Sequence, residues 1–553
     1  MRSLSANGRP QTLHQVQQDQ FDLVVIGGGI TGGGIALDAA VRGLKVCLIE
    51  KDDFASGTSS KSTKLIHGGL RYLKQWEIKL VAEVGRERAI VHKLAPHLVR
   101  PEKMLLPLIQ GGSYSQMATS MGLWVYDVLA GVEGNDKRKM LDVQETLKKE
   151  PLLSAQKDIL KGAGYYAEYR TDDARLTIEN IKSSVQRGAV AVNYVAAQDF
   201  IYGNGKIIGL QCKDKLTGQS FDIHTHFVVS ATGPWVDNLR SRNHSLEGKR
   251  LFLSKGVHIV VAREKLPLKQ AIYFDVPDGR MVFAIPRQRV TYIGTTDTPY
   301  NGDPNHIPIN KEDVKYLIDA VNNMFPNHQL SPQDLESSWA GLRPLIYEEG
   351  KSASEMSRKD EIFESESGLI SIAGGKLTGY RKMAERIVDL VGEKYQKQFH
   401  KKLGICQTNE LILTGGPFKH FKEVKAYTSK VAESLKDRNL GMEEADYLVS
   451  NYGKQTDHII QLMKQYPSHA AEISMALAEA QFCIQEEATC RLTDFFNRRT
   501  GRMYFNLPGI SNVQKEVTNL FSNQLNWDLD RINEEKALLK KEIQLAKNTL
   551  TVG

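Results

Sequence analysis

The first apolar pattern in the chain is a short run over residues 21–26 that leads directly into a glycine-rich turn. A run of this length before glycines is typical of a buried strand. Residues 35–42 have a helical pattern, and after Gly43 a second apolar run covers residues 45–50. The order strand, turn, helix, strand over about 30 residues predicts a βαβ unit.

Strand-like segments dominate the middle of the chain. Residues 190–195, 206–213 and 221–230 predict hairpins that lead back to a buried strand, and short strands with turn signals recur from residue 250 to 299. These segments predict an antiparallel sheet in a separate domain that faces the substrate. Residues 76–95 predict a helix, and residues 370–390 predict a strand, a glycine turn and a helix. After about residue 410 the pattern is helical.

The chain has 553 residues, which is too long for one core, so two or three domains are expected. The net charge is +7 and no dense basic stripe is present, which argues against a nucleic-acid partner. Five scattered cysteines without a CxxC pair predict a reducing compartment, no disulfide framework and no metal site. Residues 1–20 are polar and lack the apolar core of a signal peptide, so we expect a cytoplasmic protein. No apolar run approaches the ~20 residues that span a bilayer, so any membrane contact is expected to be peripheral.

The glycine turn has the spacing of a dinucleotide-binding motif. Gly27 allows the tight turn, Gly29 lets a pyrophosphate approach the backbone, and Gly32 lets helix and strand pack closely. Free N–H groups at the helix N-terminus can bind the phosphates. Glu50 ends the second strand and can accept hydrogen bonds from ribose hydroxyls. The alternative, a glycine turn without a ligand, is disfavoured because strand, helix and acidic residue all stand in the expected places.

Three later features favour FAD over NAD as the ligand. Residues 51–64 are rich in serine and threonine and suit a cofactor that lies across them. Residues 228–234 predict a buried strand that ends in small residues, and residues 372–378 open a late helix whose amides could face the flavin carbonyl edge. His67 stands beside two glycines, which suggests close backbone approach to the cofactor. The expected FAD-binding residues are Gly27, Gly29, Gly32, Glu50, Thr58, Ser59, Ser60, Ser62, Lys64, Leu65, His67, Val195, Gly233, Gly375, Leu377 and Thr378.

Several motifs occur together in one order along the chain. They are GGGITGGGI at 27–35, KLIHGGLRYL at 64–73, KGVH at 255–258, IGTTDT at 293–298, GLRPL at 341–345, GGKLTGYRKMA at 374–384 and RLTDFFNRRT at 491–500. In these motifs the sequence resembles the FAD-dependent, respiratory-type glycerol-3-phosphate dehydrogenase family.

The resemblance implies an α/β fold with an added α-helical part. It comprises a Rossmann-like FAD-binding domain, a D-amino-acid oxidase-like antiparallel β-sheet substrate domain and a C-terminal helical domain. The expected boundaries are a flexible tail over 1–20, the FAD-binding domain with the interleaved substrate domain over 21–400, and the helical domain over 405–553. The substrate part is expected at roughly 95–165 and 250–345.

The resemblance also implies a substrate-phosphate site, which needs fixed positive charge. Seen singly, the arginines of this site could be surface or salt-bridged, and its histidine could be a packed strand residue. His258, Arg343 and Lys376 are the expected catalytic residues, with His258 as the base or as a substrate ligand. Arg381, five residues after Lys376, is expected at the surface. The substrate-binding residues are Arg71, Tyr72, His258, Arg343 and Lys376.

The implied reaction is oxidation of sn-glycerol 3-phosphate to dihydroxyacetone phosphate, a step of glycerol catabolism, with hydride transfer to flavin N5 and a quinone as the final acceptor. The alternatives are an oxygen-using glycerol-3-phosphate oxidase, whose typical long insertion is not evident here, and an amine or amino-acid oxidase of the same fold. A quinone partner implies peripheral contact with the inner face of the cell membrane. The candidate segments are 74–93 and 536–547, although a helix with one apolar face more often packs on its own core. A homodimer is left open.

Overall fold

The computed structural model describes residues 3–66, 78–112, 119, 138–347 and 359–547. The described strands, in chain order, are β1 Gln20–Ile26, β2 Val46–Ile49, β3 Leu65–Ile66, β4 Arg100–Ile109, β5 Lys139–Leu141, β6 Leu160–Arg170, β7 Val190–Val192, β8 Val195–Gly203, β9 Lys206–Asp214, β10 Ser220–Ser230, β11 Leu251–Ala262, β12 Ala271–Asp275, β13 Met281–Arg287, β14 Val290–Gly294, β15 Thr298–Pro299, β16 Leu335–Ile346, β17 Asp360–Glu364 and β18 Leu369–Gly374.

The described α-helices, apart from short 3₁₀ turns and one π turn, are α1 Arg9–Gln18, α2 Ile30–Val41, α3 Ile78–Leu94, α4 Val143–Lys149, α5 Asp173–Gln186, α6 Val236–Arg242, α7 Lys311–Met324, α8 Tyr380–Phe399, α9 Phe421–Leu435, α10 Met442–Tyr452, α11 Thr456–Met463, α12 Ala471–Glu486, α13 Arg502–Phe505, α14 Leu507–Leu525 and α15 Leu529–Lys547.

The βαβ unit predicted from the first apolar pattern is present and forms the centre of the first sheet. Its strands run in the order β17-β18-β10-β1-β2-β7, and β8 and β9 join it through the pairing of β9 with β10. The pairs among β18, β10, β1, β2 and β7 are parallel. Strand β1 is buried from Leu23 to Ile26 because the sheet is covered on both faces, which explains its continuous apolar sequence. Helices α2, α5 and α8 pack together on this sheet.

The second sheet is largely antiparallel and has the strand order β15-β11-β14-β13-β12-β4-β6-β3, with β16 paired to β11 and β5 to β6. The strands expected over residues 250–299 all belong to it. It also takes in β4, β5 and β6 from the earlier part of the chain, and the two groups join where β12 runs parallel to β4. The fold is therefore the one the resemblance implies, with an FAD-binding sheet beside a substrate sheet.

Helices α9–α15 form the C-terminal helical domain, as predicted, and contact both sheets through buried polar groups. Arg175 on α5 makes a two-pronged ion pair with Glu487, at 2.5 and 2.8 Å. Asp53 lies in the loop after β2, and Arg499 donates to both of its carboxylate oxygens, at 2.7 and 2.8 Å. On the substrate side, Ser338 of β16 donates to a main-chain carbonyl of α15. The helical domain is thus locked against the loop that follows Glu50.

The N-terminal segment differs from the flexible tail expected over residues 1–20. Residues 9–18 form α1, and the guanidinium of Arg9 is buried against the Asp214 carboxylate, to which it donates at 3.0 and 2.8 Å. Arg9 also donates to the main-chain carbonyl of Asn193, and the Ala6 amide donates to Ile484. Composition gave no indication of this packing, because the contact depends on one arginine and its distant partners.

None of the described helices is long and apolar enough to cross a membrane. In α3, which covers most of the first candidate membrane segment, Val81, Val84 and Val91 are buried in the protein core. In α15, which contains the second, Leu539 is fully buried as well. Both helices therefore use these apolar positions for internal packing, the more common of the two alternatives considered for them.

Candidate active site

A cavity of about 990 Å³ lies where the first sheet meets the second. One wall comes from the glycine turn after β1, the loop 56–63, the end of β10 and the turn after β18. The other wall comes from β11, β12, β13 and β16 of the substrate sheet. Its size is at the upper end of the range for small-molecule sites. The cavity is thus shared between the two domains, so that a ligand bound to one wall faces side chains of the other.

The glycine turn has the close contacts that its spacing predicted. Gly27 has a φ of +113°, and a Cβ there would lie 2.6 Å from the carbonyl oxygen of Ala231. A Cβ on Gly32 would lie 1.8 Å from the Gly27 carbonyl oxygen, so β1 and α2 can approach only through glycine. Gly29 lines the cavity at the N-terminus of α2, where Ser59 Oγ accepts from the Ile30 amide at 3.0 Å. The remaining first-turn amides of α2 have no acceptor within the helix and suit phosphate oxygens.

Glu50 lies at the end of β2 and lines the cavity. Its two carboxylate oxygens accept from the main-chain amides of Gly28, at 2.7 Å, and Asp52, at 2.9 Å. Burial raises the pKa of this carboxyl to about 7, although both hydrogen bonds and the charge of Lys51 oppose the shift. A carboxylate held by backbone on two sides is well fixed for a further hydrogen bond from a ribose hydroxyl, since each oxygen has a second lone pair.

The turn after β18 forms the far end of the cofactor wall. Gly374 and Gly375 both have positive φ, near +76° and +78°, and a Cβ on Gly375 would lie 2.4 Å from the sulfur of Met383. Lys376 then caps a short 3₁₀ turn that leads into α8. Its neighbours Leu377 and Thr378 line the same cavity. The two glycines thus place Lys376 and the first amides of this turn on the cavity wall, where the sequence motif predicted them.

His258 lies on β11 and is about 1% exposed. Its Nε2 is hydrogen-bonded to Thr63 Oγ1 at 3.0 Å, and its ring stacks on Trp339 with a centroid separation of 4.7 Å and an angle of 10°. The neighbouring strand residue is Gly294, where any Cβ would overlap the imidazole. Burial lowers the pKa of His258 well below its usual value, and the charges of Arg343 and Lys64 lower it further. The imidazole is therefore neutral near pH 7 and able to accept a proton.

Arg343 lies on β16 and reaches the cavity across the neighbouring strand β11. Its guanidinium lies so close to Gly256 that a Cβ there would be 2.4 Å from one terminal nitrogen. It donates to Thr295 Oγ1 at 2.8 Å, to the Thr296 carbonyl at 3.2 Å and to Asp297 Oδ1 at 3.3 Å. Arg343 is thus salt-bridged to Asp297, as one of the two alternatives held, and its guanidinium also faces the cavity.

Most of the described residues expected at the site line this one cavity. They are Gly27, Gly29, Glu50, Thr58, Ser59, Ser62, Leu65, Val195, Gly233, His258, Arg343, Gly375, Lys376, Leu377 and Thr378. Arg71, Tyr72 and His67 lie outside the described residues. The structure therefore brings together positions that are more than 300 residues apart in the sequence.

Three expected cofactor residues do not line the cavity. Gly32 acts through helix–strand packing, as its role in the motif predicts. Lys64 is buried and its ammonium binds Asp173 Oδ1 at 2.5 Å and the Ser60 carbonyl at 3.2 Å. Ser60 is buried and its hydroxyl donates to the Gly57 carbonyl. The side chains of Ser60 and Lys64 are thus bound by protein groups, and their contact with the cofactor stays a prediction.

Arg381 is also not at the surface, where it was expected. It is about 6% exposed and its guanidinium binds Glu87 of α3, at 2.8 and 2.5 Å. Sequence analysis missed other cavity residues entirely, among them Thr63, Arg280 and Asp297. Thr63 falls within the polar segment 51–64 and Asp297 within the IGTTDT motif at 293–298, and both were usable signals, whereas nothing local distinguishes Arg280.

The residues of the cavity fit FAD. A close-packed glycine turn, the first-turn amides of α2 and the Glu50 carboxylate held by backbone amides occur at one end, and a second glycine turn occurs at the other. The basic residues of the lining outnumber the acidic ones, which suits a diphosphate and an anionic substrate. The basic residues are Lys51, Lys61, Lys213, Lys215, Arg242, Arg280, Arg343 and Lys376, and the acidic ones are Glu50, Glu168, Asp173 and Asp297.

Comparison with known proteins agrees with this arrangement. The family described as DAO, FAD dependent oxidoreductase, matches residues 22–381, and the C-terminal domain of alpha-glycerophosphate oxidase matches residues 406–532. The aerobic glycerol-3-phosphate dehydrogenase of Bacillus subtilis (strain 168) is 49% identical over 537 residues, 96% of each chain. The Staphylococcus aureus (strain USA300) enzyme of the same name is 46% identical over 99% of each chain.

Among solved structures, the glycerol-3-phosphate dehydrogenase from Bacillus halodurans complexed with FAD superposes with a TM-score of 0.84 at 41% identity and covers 100% of both chains. The resemblance drawn from the sequence motifs is thereby confirmed. The chain therefore belongs to the FAD-dependent glycerol-3-phosphate dehydrogenase family.

Proposed function

We propose that this chain binds FAD in the shared cavity and oxidises sn-glycerol 3-phosphate to dihydroxyacetone phosphate there. The observation that carries the proposal is the placement of His258 and Arg343 on the wall that faces the cofactor end of the cavity. One is a buried neutral base and the other a fixed cation. A phosphorylated alcohol uses both, the cation for its phosphate and the base for its hydroxyl. An arginine can also bind a carboxylate, and the relatives named glycerol-3-phosphate dehydrogenases favour the phosphorylated alcohol over an amino acid.

The spacing of the two side chains suits a three-carbon phosphate. The guanidinium of Arg343 lies against Gly256, two residues before His258 on β11. Two residues of a strand span roughly 6–7 Å. A phosphate bound by Arg343 would thus place the hydroxyl of the central carbon near the imidazole. Lys376, on the opposite wall, adds positive charge beside the cofactor turn.

The chemistry then divides between cofactor and protein. FAD, when bound, supplies the acceptor for the hydride of the substrate C2–H bond. His258 accepts the proton of the C2 hydroxyl, which it can do because burial and nearby cations keep it neutral. Arg343 holds the phosphate, and with it the orientation of C2, because a short anchored chain has few ways to lie in the cavity.

The electron acceptor is proposed to be a quinone, reached by peripheral contact with the membrane. The relatives at 46–49% identity are named dehydrogenases, which favours an acceptor other than oxygen. An oxygen-using oxidase is the alternative. The test is reoxidation of substrate-reduced enzyme by a soluble quinone analogue or by oxygen, measured in separate rapid-mixing experiments. Faster reoxidation by the quinone supports the proposal, and faster reoxidation by oxygen contradicts it.

The substrate assignment is tested by product analysis. The holoenzyme is incubated with a quinone analogue and, in separate reactions, with sn-glycerol 3-phosphate, its enantiomer, unphosphorylated glycerol and glycine. The proposal expects dihydroxyacetone phosphate from the first compound and at most slow turnover of the others. Glycerol lacks the group that Arg343 binds, so equal rates with glycerol would contradict the proposed site.

A further inference from the structure

We propose that the C-terminal helical domain holds the cofactor site in its binding conformation, and that Arg498 and Arg499 are positioning residues for FAD. No described residue of this domain lines the cavity. The domain instead binds two loops that do, residues 50–58 and residues 193–195. The inference rests on the proposed binding of FAD in the shared cavity and is independent of the substrate and of the electron acceptor.

The loop after Glu50 is fastened to the glycine turn. Phe54 is fully buried, and a Cβ on Gly28 would lie 2.6 Å from an atom of its ring. The Ala55 amide donates to the Gly28 carbonyl at 2.9 Å, and the Gly28 amide donates to the Glu50 carboxylate at 2.7 Å. A shift of this loop would therefore move the glycine turn with it, and residues 56–59 continue from the loop along the cavity wall.

Asp53 joins the same loop to the helical domain. Its buried carboxylate accepts from Arg499 at 2.7 and 2.8 Å and from Arg498 Nε at 2.5 Å. Both arginines belong to the turn Asp494–Arg499. Burial raises the pKa of the Asp53 carboxyl, but the charges of Arg499 and Arg498 outweigh burial and lower it to about 2. The contact is thus made of hydrogen bonds between charged groups, which are the strong ones in proteins.

The same turn of the helical domain holds the second loop, residues 193–195, of which Val195 lines the cavity. The Tyr194 hydroxyl donates to Asp494 Oδ1 at 2.6 Å. The Val195 amide donates to the Glu50 carbonyl at 2.8 Å. The two loops are therefore joined to each other at Glu50, and both are joined to the helical domain through one turn.

These contacts affect FAD affinity because they order the site before the cofactor binds. Residues 50–57 form no helix or strand, so their position depends on such side-chain contacts. A ligand that must order its own site loses affinity by the free energy of that ordering. The coupling is reciprocal: FAD bound to the two loops must in turn stabilise the contacts of the turn 494–499.

The first test measures the FAD dissociation constant of each holoenzyme on dilution, from the fluorescence of the released flavin. Arg498→Gln removes one charged partner of Asp53 while Arg499 keeps the loop attached, and should raise the constant about 5- to 150-fold, the range typical of coupled sites. Arg498→Lys keeps the charge and should recover part of the affinity. Arg100→Gln is the matched control, because Arg100 binds Asp446 at 3.0 and 2.6 Å and joins the helical domain to β4 of the substrate sheet. It should leave the constant unchanged.

Amide hydrogen exchange tests the reverse coupling without any variant. Exchange over residues 494–499 should be slower in the holoenzyme than in the same protein after removal of FAD, with a smaller difference in α9, which packs on α10 within the domain. An unchanged FAD dissociation constant in Arg498→Gln, an equal increase in Arg100→Gln, or identical exchange over 494–499 with and without FAD would each overturn the inference. A wild-type protein that binds no FAD would instead contradict the proposed function.

Discussion

Replacement of Arg343 by alanine tests the substrate-phosphate site. The side chain is about 20% exposed and is held by Thr295 and Asp297, so its charge is fixed and partly screened from water. A hydrogen bond to a charged group at such a position contributes about 1.5–3 kcal/mol. With about 1.4 kcal/mol per factor of ten, the apparent substrate constant should rise roughly 10- to 150-fold. The Asp297 carboxylate, which lines the same cavity, would then lie near the phosphate without this cation and add repulsion.

The assay is steady-state oxidation of sn-glycerol 3-phosphate by the holoenzyme, with FAD content measured on the same samples. Arg289→Ala is the matched control, because Arg289 is in the same sheet region and makes a two-pronged ion pair with Glu336, at 2.6 and 2.7 Å, but does not line the cavity. The control should leave the substrate constant unchanged. If Arg343→Ala also left it unchanged, or lost FAD to the same degree as substrate affinity, the assignment of Arg343 to the phosphate would be refuted.

Three further predictions concern the cofactor and the domain contact. Gly29→Ala should abolish FAD binding, because the new methyl group blocks the approach of the pyrophosphate. It should change the melting temperature of the apoprotein little, because the methyl group meets only one side-chain atom, at 3.1 Å. Gly404→Ala, where a Cβ has no atom within 4 Å, is the control, and a Gly29→Ala variant that retained FAD would contradict the role of Gly29. Burial raises the pKa of Glu50 from 4.5 to about 7, so its contribution to apoprotein stability is complete below pH 4.5 and is lost as pH rises through 7. Denaturant unfolding should therefore show Glu50→Gln gaining stability relative to wild type between these pH values, and a constant difference would refute it. Arg499→Ala removes the two-pronged partner of the buried Asp53 carboxylate but leaves the ion pair with Arg498, so it should cost about 1–3 kcal/mol of unfolding free energy; no measurable loss would contradict this ion pair.

The parts of the fold that local sequence determines were the parts that could be predicted. The glycine turn and Glu50 could be placed because each task in a dinucleotide site restricts the residue type at a fixed spacing. The strand, turn and helix over 370–390 follow from the same reasoning, and they appear as β18, the Gly374–Gly375 turn and α8. The antiparallel sheet from residue 250 was evident from short strands with turn signals between them.

What could not be predicted depends on partners far away in sequence. Lys64 lies in a segment suited to line a cofactor, yet its ammonium is bound by Asp173, which is 109 residues later in the chain. Arg9 gives an apparently unstructured tail a buried anchor only because Asp214 lies opposite. Thr63 was one of several hydroxyl residues in its segment, and its contact with His258 requires the pairing of two domains. In each case the residue type allows the observed contact, but the contact itself depends on a partner that the local sequence does not identify.

The most direct test of the account is anaerobic addition of sn-glycerol 3-phosphate to the purified holoenzyme, with the visible absorbance of the flavin recorded. If the cavity binds FAD and holds the C2 hydroxyl beside His258, the yellow colour should bleach, with one dihydroxyacetone phosphate formed for each flavin reduced. The Arg343→Ala variant should require a much higher concentration for the same bleaching. A flavin that stays oxidised with this substrate but is bleached by an amine or amino acid would contradict the account.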